Sequence, residues 1–269
     1  QGEGRWMGTP SVFIRLFGCN FECRGFGQGR DQSKWVIRES MPHKIDPNID
    51  KYKSFDELPV PTIGCDSSAT WAKEYMHITH YEEPSVIAKQ LLELTPHKTW
   101  DKIHLVITGG EPLLWQKQLP ELLMQPEFKT LQNLTFETNT TQTLLPNFWT
   151  FLETFQAHTT FACSPKLSIS GESRTRAIKP NVVNSYSKVK NSDLFLKFVV
   201  QDEQCLNDVK NVLDEFRLPN DIPVYLMPVG GTTETLELTE TQVATVALEN
   251  GFKFSPRLHV NLFGNAWGT

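Results

Sequence analysis

Five cysteines stand in the 269-residue chain, at positions 19, 23, 65, 163 and 205. In "GCNFECRGFG", Cys19 and Cys23 are separated by three residues, and the pair reads as part of an iron–sulfur site once further thiolates arrive from elsewhere. The same pair also reads as two buried thiols, or as half of a zinc site. Phe26 stands where a third cysteine would be expected. Further on, "GCDSSATW" places Asp66, Ser67 and Ser68 directly behind Cys65. In "ITGGEP", Gly109 and Gly110 let backbone approach a ligand and leave Glu111 for a cationic group, although an ordinary strand-to-helix turn looks alike. "FETNTT" supplies Glu137, and "SPK" supplies Ser164, Pro165 and Lys166.

The elements that must position these residues alternate along the chain. Apolar strand patterns occur at "SVFIRLF", "KIHLVIT", "NLTFET", "TTFACS", "LFLKFVV", "VYLMP" and "LHVNLF". Amphipathic helical patterns separate them, at "PSVIAKQLLELT", "LLWQKQLPELLMQ", "NFWTFLETFQ", "CLNDVKNVLDEF" and "TETQVATVALENG". Repeated strand–helix units predict an α/β fold with a parallel sheet, here an open or partial (β/α) barrel. Chemistry in such folds sits at the carboxyl ends of the strands. Cys19, Thr108 to Glu111, Glu137, Ser164 to Lys166 and Met227-Pro228 all fall at predicted strand ends. Cys163 adjoins Ser164 but is expected to face the opposite way, because side chains alternate along a strand. Cys205, in line with Val209 and Val212, reads as a small buried hydrophobe.

Composition narrows the class. The net charge of −5 does not indicate a strongly basic nucleic-acid surface, though it leaves room for a local patch, and no apolar run approaches the length of a membrane span. An odd, low cysteine count points to reduced thiols in a cytoplasm and away from a secreted disulfide framework. The chain opens on Gln1, so a short preceding piece is expected. Residues 24–64 are polar, charged and proline-bearing. Trp35, Ile37, Ile45, Ile49, Tyr52 and Phe55 are their expected apolar anchors, in an excursion over one edge of the site or at a dimer surface.

Deleting about 40 of residues 24–64 as an insertion leaves Cys19-x3-Cys23-x2-Cys65, which resembles the cluster motif of the radical S-adenosylmethionine (SAM) superfamily. "QGEGRWMGTPSVFIRLFGCNFEC", "CDSSATW", "ITGGEP", "FETNTT" and "SPK" occur in the order found in one family of it, 7-carboxy-7-deazaguanine synthase. The resemblance covers the chain outside 24–64 and part of 166–192. It implies a single radical SAM domain over 1–269, a partial (β/α) barrel with an insertion at about 24–64, and usually a homodimer. The reaction implied converts 6-carboxy-5,6,7,8-tetrahydropterin to 7-carboxy-7-deazaguanine with loss of ammonia, as in queuosine-type biosynthesis. Its cofactors are a [4Fe–4S] cluster, SAM and Mg²⁺, with a flavodoxin-like electron donor.

Carried over by position, the resemblance makes Cys19, Cys23 and Cys65 the cluster ligands and Ser67 the Mg²⁺ ligand, beside Asp66. SAM is expected at Gly110, Glu111, Glu137, Ser164, Pro165, Lys166, Met227, Pro228, Val229 and Gly230. The pterin is expected at Gln1, Gly2, Arg15 and Thr108, with the carboxylate of Thr269 reaching the site after the last predicted strand. Two other readings stay open: another radical SAM enzyme, such as a glycyl-radical activase, and a zinc-stabilised α/β binding module. Metal content separates the last, since the cluster enzyme holds about four irons per chain and the module one zinc.

Overall fold

The computed structural model describes residues 1–267. Strands β1 (Ser11–Leu16), β2 (His104–Gly109), β3 (Asn133–Thr138), β4 (His158–Cys163), β5 (Ser192–Val200), β6 (Val224–Pro228) and β7 (Lys253–Phe254) form one sheet in chain order. Every neighbouring pair is parallel. The crossovers carry the helices Pro84–Glu93, Leu119–Leu123, Pro146–Thr154, Pro180–Tyr186, Glu203–Phe216 and Glu240–Glu249. Right-handed crossovers that never reverse direction put all these helices on one face, and the sheet curls around the other. β1 and β7 are the two edges, so the barrel is partial.

Strand alternation divides the side chains between the two faces. Leu105, Ile107, Leu134, Phe136, Phe161, Cys163, Leu196, Phe198 and Leu226 join the helices' Phe148, Leu152, Val209, Val212, Phe216, Val243 and Ala247 in one core. The alternate residues Arg15, Thr108, Glu137, Ala162, Lys197 and Met227 line the concave side. Helix Glu203–Phe216 shows how the sequence builds such a layer. Asp202 caps it by accepting from the Cys205 N–H, and Cys205, Leu206, Val209, Val212 and Phe216 form its buried stripe. Burying each of the large side chains contributes about 1.5–3 kcal/mol.

Two elements differ from the sequence pattern. "LHVNLF" is a helix, Leu258–Phe263, ended by Gly264 at φ 63°, and the seventh strand is Lys253–Phe254. Pro256 has no N–H to continue an edge ladder, and within the helix only Val260 is buried. The single helix expected over "LLWQKQLPELLMQ" is a 3₁₀ turn, Pro112–Trp115, followed by Leu119–Leu123, because Pro120 can begin a helix but not continue one.

Residues 24–64 run as short turns whose neck is closed by the Gly64 N–H donating to the Phe26 carbonyl at 2.7 Å. Ile49, Tyr52, Phe55 and Leu58 pack with Ala69, Ala72, Tyr75 and Ile78 in a second, small core. Ile37 and Ile45 do not anchor the segment, being 63% and 61% exposed. No helix among the described residues is long and apolar enough to cross a membrane.

Candidate functional site

A cavity of about 830 Å³ opens at the carboxyl ends of the strands. Cys19, Cys23 and Cys65 line it, whereas Cys163 and Cys205 belong to the apolar core behind the sheet. All five thiols are free. Burial pushes the Cys19 thiol up, raises Cys23 well above the usual thiol value and brings Cys65 up to about 12. The metal-free site is therefore protonated at neutral pH, and a metal centre must displace those protons to bind. Among the described residues, no group of three or more His, Cys, Asp or Glu side chains closes on one point to hold a single metal ion.

The two glycines of "TGGEP" serve the Cys19 loop. A Cβ on Gly110 would lie 2.1 Å from the Gly18 carbonyl oxygen, and one on Gly109 (φ 119°) would lie 2.2 Å from that of Leu16. The Gly110 and Glu111 N–H groups donate to those same Leu16 and Gly18 carbonyls, at 3.1 and 2.8 Å. Asn139 completes the support by donating to Asn20 Oδ1 at 2.8 Å. Glu111 itself is not left for a cationic group. Its side chain is off the cavity and accepts from the Leu113 N–H (3.0 Å), the Thr138 hydroxyl (2.8 Å) and the Asn139 N–H (2.7 Å). Burial outweighs those donors and raises its pKa to about 7.

Glu137 stands at the centre of the concave face. Gln1 Nε2 donates to one of its oxygens at 2.8 Å and the Thr108 hydroxyl to the other at 3.0 Å. Gly2, Arg15, Ser164, Lys166, Met227, Pro228, Val229 and Gly230 line the same cavity, while Pro165 is buried in the turn between its two neighbours. Lys166 Nζ donates to Ser164 Oγ at 3.1 Å. Asp66 and Ser67 also line the cavity, and Ser67, although it begins the 3₁₀ turn Ser68–Thr70, makes no side-chain cap. Thr269 lies outside the described residues.

Sequence reasoning missed a buried charge network at the seam between β1 and β7. Glu3 faces Lys197 and Arg257, with His259 Nε2 3.8 Å away. Arg257 donates from Nε to Glu3 at 3.0 Å, from a terminal nitrogen to Asp66 at 2.6 Å, and to the Gly230 carbonyl. Burial alone would raise the Glu3 carboxyl, but Lys197 and Arg257 together hold it well below the usual range. Burial would likewise lower Lys197, and Glu3 overrides it upward. The readable signal was Lys197 itself, the lone charge in "LFLKFVV", because a lysine so deep in an apolar run needs a buried partner.

No family model matches the chain. A curated 7-carboxy-7-deazaguanine synthase from Halobacterium salinarum is 28% identical over 280 residues, covering 99% of this chain and 88% of that protein. One from Pyrobaculum aerophilum is 25% identical, covering 100% of this chain and 92% of that protein. Among solved structures, Streptococcus suis SuiB shares the fold, with a TM-score of 0.52 at 13% identity over 97% of this chain and 53% of that one. Over essentially its whole length, this chain is similar to curated 7-carboxy-7-deazaguanine synthases.

Proposed function

We propose that the protein is a radical SAM enzyme that converts 6-carboxy-5,6,7,8-tetrahydropterin to 7-carboxy-7-deazaguanine with loss of ammonia. One observation carries the reading. Three of the five cysteines share a cavity with the Gly109-Gly110 turn, Glu137, Lys166, Arg15 and Thr108, in a chain that aligns end to end with such synthases. Three thiols lining one cavity are the ligand set a multi-iron cluster requires. When bound, the cluster supplies the electron for reductive cleavage of SAM, chemistry the protein positions but does not itself provide.

The chain's own residues bind and orient. Gly110, held against the Cys19 loop, lines the cavity with its backbone and is our assignment for the amino acid end of SAM, and Ser164, Lys166 and the strand end Met227 to Gly230 offer the remaining contacts. Arg15 presents a forked guanidinium suited to the pterin carboxylate. Glu137, already accepting from Gln1 and Thr108, is placed to take an N–H from the heterocycle. Ser67, whose hydroxyl donates to Asp66 Oδ1 at 3.4 Å, is our assignment for Mg²⁺. A flavodoxin-like donor, a reducing cytoplasm and a homodimer complete the proposal. The test is an anaerobic assay with SAM, reductant and the carboxypterin, read by mass spectrometry. Formation of the deazaguanine supports the reading, and SAM cleavage without any change in the pterin overturns the substrate assignment.

A further inference from the structure

The long segment 24–64 and the stretch that follows Lys166 meet beside the cysteines. Glu172 directs one carboxylate oxygen onto the backbone N–H groups of Glu22 and Cys23, both at 2.9 Å. Four residues on, Arg176 donates to the Asn20 carbonyl at 2.6 Å and lies over the Phe21 ring, 5.4 Å from its centroid. Four consecutive residues of the cysteine loop, Asn20 to Cys23, are thus gripped by one pair. Alongside, the Gly25 N–H donates to the Ser170 carbonyl at 2.9 Å. Trp35 from the long segment covers Gly25 and Gly171 so closely that a Cβ on either would lie 2.4 or 2.7 Å from the indole. The loop needs such holding, because Cys23 has φ 48°. A residue with a side chain keeps that left-handed conformation only where its surroundings fix it.

We propose that Glu172 and Arg176 are positioning residues that keep the Cys19–Cys23 loop in register with Cys65. They do from across the fold what a two-residue link does in a Cys-x3-Cys-x2-Cys motif, where this chain has 41 residues between Cys23 and Cys65. The inference rests on the proposed cluster function. Glu172 also occupies two amide N–H groups that could otherwise bond to cluster sulfur, and it sets a negative charge beside Cys23. Both effects lower the potential of a bound cluster, so removing the carboxylate raises it.

The experiment compares anaerobically reconstituted Glu172→Ala, Glu172→Gln and Arg174→Ala. Arg174 is the control, since it pairs with Asp208 and Glu215 on the neighbouring helix and touches no cysteine loop. Glu172→Ala is expected to lose its cluster to a chelator roughly 10-fold faster than wild type. Its EPR-monitored midpoint potential moves upward. Glu172→Gln keeps an oxygen for the amides and regains most of the chelator resistance, but not the wild-type potential. Arg174→Ala matches wild type in both. Wild-type behaviour of Glu172→Ala, or an equal loss in Arg174→Ala, overturns the proposal. Amide exchange on the iron-free chain separates it from the functional reading. Glu172→Ala should speed exchange at Glu22 and Cys23 about tenfold or more. Unchanged exchange there overturns the positioning role, whereas a wild-type chain that takes up no cluster overturns only the function.

Discussion

Arg257→Met tests whether the seam network is a structural necessity of the site. Arg257 is 6% exposed and ties three segments together: Glu3 next to Gln1 and Gly2, Asp66 between Cys65 and Ser67, and the Gly230 carbonyl at the end of β6. Methionine fills much of the volume but leaves the two carboxylates facing each other. Removing one partner of a fully buried ion pair destabilises by about 3–5 kcal/mol. Two features reduce that figure here. Glu3 keeps Lys197, and the Asp66 side chain is 41% exposed and so solvates in part. About 3 kcal/mol remains, which for a chain of this length is roughly 5 °C in the unfolding midpoint. The assay is thermal unfolding of the metal-free chain for Arg257→Met, Glu3→Gln and the double variant. Removing Glu3 relieves the repulsion, so the double variant should be less destabilised than the sum by about 1 kcal/mol or more. Strict additivity, or a loss below about 1 kcal/mol in Arg257→Met, would refute the reasoning.

Three further outcomes follow from the site. Cys65→Ala should abolish the [4Fe–4S] signal on anaerobic reconstitution while Cys163→Ala retains it, since Cys163 is on the core face of β4; the reverse pattern in iron content and EPR would overturn the ligand assignment. Ser67→Ala should impair Mg²⁺-dependent turnover more than Ser68→Ala, whose serine is buried away from the cavity, and a rate indifferent to Mg²⁺ chelation rejects the metal site. His104 is buried between Ser11 Oγ (3.2 Å) and Thr135 Oγ1 (2.8 Å), and burial lowers its pKa to about 3. A depressed folded-state pKa means stability is present above the unfolded value of 6.5 and falls as pH drops toward 3. Between pH 7.5 and 5.5 this loss is about 1.4 kcal/mol in urea unfolding, and His104→Gln should flatten that part of the profile.

Much of this was legible because two signals are local. Short apolar runs between helical patterns marked β1 to β6, and "VYLMP" and "NLTFET" match β6 and β3 residue for residue. Cys65 could be chosen over Cys163 because strand alternation assigns Cys163 to the core side. What escaped was non-local. Glu111 looked like a ligand group, but its use depends on Thr138 and Asn139, a strand away. "LHVNLF" has strand-like alternation, yet no strand is available to it beyond β7, and Pro256 separates it from the ladder. Arg257 acquires its role only when residues 3, 66 and 230 converge. No spacing rule encodes that meeting.

The open seam accounts for why the missed residues lie where they do. A closed eight-stranded barrel fills its interior with side chains. Here β1 and β7 do not pair, which leaves room for the cavity but exposes two strand edges. The segment Gln1 to Gly4 fills that gap: the Gly2 carbonyl accepts from the Leu258 N–H at 3.0 Å, and the Gly4 N–H donates to Ser255 Oγ at 2.8 Å. Gly2 is obligatory in this position, since a Cβ would lie 2.3 Å from His259 Nδ1. Filling the gap with backbone brings Gln1 onto Glu137 and Glu3 onto Lys197 and Arg257. The polar wall of the cavity and the closure of the fold are therefore the same contacts, and a change that loosens one must loosen the other.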